Sequence, residues 1–195
     1  MSDIAELAKN VVARCVPSAV IDDDDRAVIR ENAEFLLGLE EPLVKLFYDT
    51  LYAHGPTAAV FEEGERPARE QTLRDWWRRT VTSNLDDSYL EWMAFVGIVH
   101  IRRKVANPMM LSMFSVVTNA VHSAAVAQLD PAVAERLRVA FSHLAATASA
   151  LISEGYSQGY INALQNIAGL DPKLVARLLD IEISNVEAKA RAALG

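Results

Sequence analysis

Tyr89-Leu-Glu-Trp-Met-Ala-Phe-Val-Gly-Ile-Val-His100-Ile-Arg-Arg-Lys104 is the stretch on which the reading of this chain turns. It is apolar almost all round until a histidine interrupts it near its end. Tyr89, Met93, Val96 and His100 recur at the three- and four-residue steps of one helical face. Glu91, Phe95, Ile98 and Arg102 fall on the far side. An imidazole in that place has two readings: a core side chain bonded to a nearby carbonyl, or a metal ligand presented into an apolar pocket. Spacing within the helix favours the first, so the rest of the chain has to decide.

On both sides the pattern stays helical. Ile4, Leu7, Val11 and Val12 form the apolar side of a helix capped by Ser2 or Asp3 and ended by Pro17. Asp22 to Asp25 opens a second helix that runs through Phe35, Leu36 and Leu37 to Gly38. Consecutive aspartates diverge around a helix, so this run complements the helix dipole better than it chelates a cation. Pro42 starts a third, with Leu43, Leu46, Phe47, Leu51 and Tyr52 on its apolar stripe and Tyr48 beside it. His54-Gly55-Pro56 breaks it, Phe61 heads a polar connection, and Pro67 restarts a helix to about Ser83 with Thr72, Trp76 and Thr80 inward.

Asn107-Pro108, Asp130-Pro131 and Asp171-Pro172 each place a capping side chain before a proline at the first helical position. They open helices over 108–128, over 131–167 and from 172 to 193. Met110, Met113 or Phe114, Val117 and Val121 fall at helical steps in the first of these. No segment alternates with period two, and no repeat or linker marks a boundary. The expectation is an all-α architecture of about eight helices forming one domain over residues 1–195.

Composition narrows the chemistry. The 195 residues are 51% hydrophobic, enough for a core, and carry a net charge of −7. Phosphate binding needs a concentrated basic face, and Arg102-Arg103-Lys104 alone does not make one, so no nucleic-acid partner is expected. Cys15 is the single cysteine, and no Cys/His spacing suggests zinc. The N-terminus lacks a signal-peptide pattern and no run approaches ~20 apolar residues, so a cytoplasmic protein with no membrane span is expected.

There is no phosphate-binding glycine loop. Gly155-Tyr-Ser157-Gln-Gly159 matches the string of a nucleophile elbow but lies inside a helical pattern, where no strand precedes it. Two polar groups remain on or beside apolar faces, Tyr48 and Thr72. Each has a local explanation, a backbone carbonyl for the first and a bond within its own helix for the second.

The order of these features resembles the globin-coupled sensor and protoglobin lineage of haem globins. Tyr48 in Phe47-Tyr48-Asp49, Phe61 after a proline-containing corner, Gln71-Thr72-Leu73 and then Val96-Gly97-Ile98-Val99-His100 carry the likeness, which runs roughly from Ala33 to Leu164. It implies a globin-like fold with an extra N-terminal helix (1–20) and an extra C-terminal helix (171–195). It also implies haem b, with His100 as the ligand to iron. Tyr48 and Thr72 would face the opposite side, where a hydroxyl can donate to bound dioxygen. Phe61 would pack on the porphyrin face, and Met93, Val96, Met110 and Phe114 would line the pocket, although each also fits an ordinary core role.

The implied function is reversible binding of a diatomic gas (O₂, CO or NO) for sensing or carriage, without enzymatic turnover. Weak redox or NO dioxygenase activity ranks lowest. A homodimer through the helices at 108–128 and 131–167 and a separate signalling partner are also implied. The chain departs from the family after the histidine, where Met109-Met110-Leu111 follows Pro108 in place of aromatic residues. The rival is a haem-free globin-like interaction module, in which His100 and Tyr48 would have little to do.

Overall fold

In the computed structural model, which describes residues 4–169 and 171–194, 86% of the described residues are helical and no strand occurs among them. The helices are α1 (Ile4–Arg14), α2 (Asp23–Glu31), α3 (Ala33–Gly38), α4 (Glu40–Ala53), the single turn α5 (Gly55–Ala58), α6 (Arg66–Thr82), α7 (Asp87–Arg102), α8 (Asn107–Gln128), α9 (Pro131–Ala168) and α10 (Pro172–Leu194). A 3-10 turn at Pro17–Ala19 follows α1, whose expected cap at Ser2 or Asp3 lies outside the described residues.

Ten helices replace the expected eight, partly because the helix that opens at the acidic run is broken. Asn32 sits at φ −107° and ψ 19°, and its Nδ2 donates to the Val28 carbonyl at 2.8 Å. An asparagine amide that binds the preceding turn competes with helix propagation, and α2 and α3 separate there. The acidic run itself is a cap. The Asp22 and Asp25 carboxylates each accept from the other's backbone N–H, at 2.9 and 3.1 Å. Asp25 also lies 2.8 Å from Nδ1 of His143, which fastens the start of α2 to α9.

Of the three Asx-Pro starts, two cap as expected. Asp130 accepts from the Ala132 N–H at 2.8 Å, and Asp171 from the Lys173 N–H at 2.9 Å. Asn107 does not. Ala106 is the cap residue of α8, which puts Asn107 in the first turn with its Oδ1 buried and unpartnered.

Helices α4 and α6 pair antiparallel and are tied along their length. Arg78 chelates Glu40 at 2.6 and 2.7 Å, Arg74 chelates Glu41 at 2.8 and 2.9 Å, and Arg66 reaches Asp49 at 2.7 Å. Bidentate geometry makes such pairs stronger than ordinary surface ion pairs. Beneath them, Trp77 is fully buried and donates from Nε1 to the Leu36 carbonyl at 2.9 Å. Thr80 and Tyr89 share a hydrogen bond of 3.0 Å inside the core, which satisfies both hydroxyls.

Helix α7 is enclosed on several sides. N-terminal α1 packs against it, burying Ala8 and Val11. Its other close neighbour is α9, and two glycines allow the approach. A Cβ on Gly97 would stand 2.1 Å from the Ile152 carbonyl oxygen, and one on Gly155 would stand 2.0 Å from that of Ala94. The Gly-x-Ser-x-Gly string therefore owes its first glycine to backbone packing.

Helix α8 departs from one expectation. It is long and apolar enough to cross a membrane by length and composition, with a mean hydropathy of 1.4 over its best window. Its Met110, Met113, Val117 and Val121 are buried in the helical core, whereas only 22% of that window as a whole is buried. The chain forms two compact units, residues 1–157 and 158–195, and the division falls inside α9.

Candidate functional site

Within residues 1–157 an apolar cleft of about 320 Å³ opens between α4, α6, α7 and α8. Tyr48 and Thr72 line it from α4 and α6. Met93, Val96 and His100 line it from α7, and Met110 and Phe114 from α8. Seven of the eight residues singled out from the sequence thus meet around one space. The eighth, Phe61, is not in the lining. It stacks on Tyr52 at 4.8 Å between ring centroids and sets its ring edge-on to Tyr48 at 6.0 Å, so it backs the tyrosine. Two larger depressions, of about 740 and 640 Å³, are surface grooves lined mainly by charged and polar side chains and bring no reactive set together.

His100 is fixed by its own helix. Its Nδ1 lies 2.7 Å from the Val96 carbonyl oxygen. A carbonyl can only accept, so Nδ1 carries the proton and the lone pair is left on Nε2. Burial pushes the imidazole pKa below its ordinary value of 6.5. The Val96 bond opposes this shift and the nearby Arg103 adds to it. The ring is therefore neutral at pH 7 and held in the tautomer that a metal needs. Among the described residues no group of three His, Cys, Asp or Glu side chains is placed to hold a metal ion. A single imidazole suits an iron whose other ligands come from a macrocycle, and does not suit a free cation.

The two hydroxyls are already engaged. Tyr48 donates to the Arg69 carbonyl at 2.7 Å, and Thr72 to the Ala68 carbonyl at 3.1 Å within α6. Burial pushes the Tyr48 phenol well above its ordinary pKa, so it stays a neutral donor. Both local explanations open to them from sequence hold in this state, and both groups still line the cleft.

The cleft also contains residues that were not anticipated. Trp92, Phe95 and Val99 extend the α7 wall, with Phe47, Leu73 and Trp76 opposite. Phe95 and Val99 are 49% and 39% exposed, although Phe95 had been placed on the far side of the helix. The signal was present, because 92, 95, 96 and 99 follow the i, i+3, i+4, i+7 steps of an apolar face. Large apolar side chains left open around a concave space match an apolar occupant, and the residues present fit haem.

One cation of the basic turn after His100 is committed elsewhere. Arg103 pairs with Glu65 at 2.6 Å, while Arg102 and Lys104 are exposed. Of the other histidines, His143 bonds Asp25, and neither His54 nor His122 lines the cleft.

A profile of the protoglobin family matches residues 19–162. The chain belongs to the protoglobin family. The match takes in every residue lining the cleft and starts after α1. Among solved structures, this protoglobin is similar to the globin domain of a Geobacter sulfurreducens globin-coupled sensor, with a TM-score of 0.64 and 20% identity. That likeness covers 80% of this chain and 99% of the other, and it establishes a globin-like all-α fold. No curated protein matches the sequence.

Proposed function

We propose that this protoglobin holds haem b in the apolar cleft through Nε2 of His100 and reversibly binds a diatomic gas there, as a sensor or carrier without enzymatic turnover. The observation that carries the reading is the His100–Val96 bond, which presents a neutral, orientation-locked imidazole on the wall of an apolar space in a protoglobin chain. The bound group would supply an iron with one position open to O₂, CO or NO. The protein supplies the rest. Val96 fixes the ring, while Met93, Met110 and Phe114 exclude water from it. On the facing wall, Tyr48 and Thr72 offer the polar contacts within reach of a small ligand. Each hydroxyl carries one proton, so donation to a ligand requires release of the Arg69 or Ala68 carbonyl. A homodimer through α8 and α9 and a separate signalling partner belong to the same proposal, as does a cytoplasmic setting.

The test is the visible spectrum of purified protein reconstituted with haemin. A Soret band is expected in the wild type, abolished in His100→Gly, restored to that variant by added imidazole, and retained in His122→Ala and His143→Ala. A wild-type protein without the band overturns the proposal. One observation favours the haem-free interaction module instead: Tyr48 and Thr72 both have protein partners with no ligand present. The same spectrum separates the two.

A further inference from the structure

Tyr160, Leu164, Ile167, Leu174, Leu178 and Ile181 are all exposed, from 45% to 85%. Their spacings are 4, 3, 7, 4 and 3, and Asp171 stands at the position that divides the seven. In sequence one heptad phase therefore spans the end of α9 and α10, with the helix itself interrupted at Gly169 (φ 63°), and within α10 it continues through Asn185, Ala188 and Ala192. A stripe of this period that covers nothing in its own chain is the seam of a coiled coil.

We propose that a second copy of this chain covers this stripe, with the two α10 helices parallel and in register. Three features select that occupant. In this phase Asn185 falls at an a position, where a parallel pairing places it against its own copy and lets the two amides bond. Arg177 at g and Glu182 at the next e fall opposite each other only when the partner has the same sequence in the same direction and register. The reciprocal pair forms by symmetry. The other apolar face of α10, which includes Leu179, Ile183 and Val186, does not extend back into α9. Stepped back by sevens it meets Gln165 and Asn162 in α9. The inference is independent of haem and rests chiefly on α10, which lies outside the α8–α9 dimer proposed above; Tyr160, Leu164 and Ile167, at the end of α9, are common to both.

Disulfide trapping in the full-length Cys15→Ser protein tests it. Leu174→Cys and Ala188→Cys are each expected to cross-link to their own copy on oxidation, well above the level given by Ile183→Cys. Sedimentation should show self-association weakened on the order of tenfold by Leu178→Lys and unchanged by Leu179→Lys. Three outcomes would overturn the proposal. One is a monomeric chain. Another is cross-linking at 174 and 188 no greater than at 183. The third is a preferential 174-to-188 link in a mixture of the two variants, which means antiparallel pairing.

Discussion

Protonation of Nε2 and coordination through it exclude each other, so the acid limit of this site is set by the environment of His100. Its pKa is depressed, chiefly by burial, with Arg103 contributing in the same direction. The unfolded chain, with an ordinary histidine, takes up that proton first. The contribution of the neutral ring to stability is therefore complete above pH 6.5 and falls as the pH drops below that value. Spectral titration of the haem-loaded protein should show its acid transition below pH 6.5. Arg103→Ala should move it upward, because a neighbouring cation is lost. A second consequence concerns Tyr48, whose proton is shared between the Arg69 carbonyl and any ligand. Tyr48→Phe should speed O₂ dissociation about fivefold, which corresponds to a net hydrogen bond of about 1 kcal/mol. Stopped-flow release of O₂ measures this, and an unchanged rate would mean that the hydroxyl never leaves Arg69. His100, Tyr48 and Thr72 were legible because a polar group on an apolar face is conspicuous. Their partners were not, because a side chain's bond to a backbone carbonyl leaves no trace in residue types.

Helix α7 carries the histidine and also meets α9 backbone to backbone at Gly97 and Gly155. Gly97 follows Val96, the residue that anchors the imidazole, and meets the backbone of α9 directly. Alanine at 97 gains about 1 kcal/mol of helix propensity but places a methyl group against a carbonyl oxygen that cannot rotate away. Overpacking of this kind costs about 1–3 kcal/mol. Gly97→Ala and Gly155→Ala should each lower Tm on the order of 5 °C, whereas Gly38→Ala, which meets nothing within 4 Å, should raise it slightly. Thermal melts of the three variants check this, and a Gly97→Ala protein as stable as the wild type would mean that the helices separate at little cost. The crossing was invisible in the sequence because a helical glycine reads equally well as a weak point. The misplacement of Phe95 has a related cause. A single amphipathic stripe assigns one inner face, and α7 is enclosed both at the cleft and against α9. Helix positions were otherwise well marked by prolines and caps. Asn107 was misread as a cap, since α8 starts one residue earlier with Ala106 as its cap residue, and the break at Asn32 was missed because an asparagine that bonds the turn before it leaves no mark in the apolar pattern.

At the scale of the whole molecule, the two compact units divide the labour. The cleft, its histidine and the buried residues of α9 from Ala134 to Gly155 lie before residue 158, and α10 buries none of its side chains. Burial of apolar surface is the dominant favourable term in folding, so a helix that buries nothing contributes little to the stability of the globin unit. A chain ending at residue 170 should therefore keep its Tm within about 2 °C of the full-length value. It should also retain haem uptake if the full chain has it, and at the same time lose the parallel association inferred for 160–192. A truncated chain that melts early would place α10 in the core, and one that associates as strongly as the full chain would leave α8 and α9 as the whole interface. Calorimetry and sedimentation of one sample resolve the two, because the first reads the packing of the globin unit and the second reads the exposed stripe. The family profile itself stops at residue 162, close to where burial ends, so α10 lies outside the matched part of the chain.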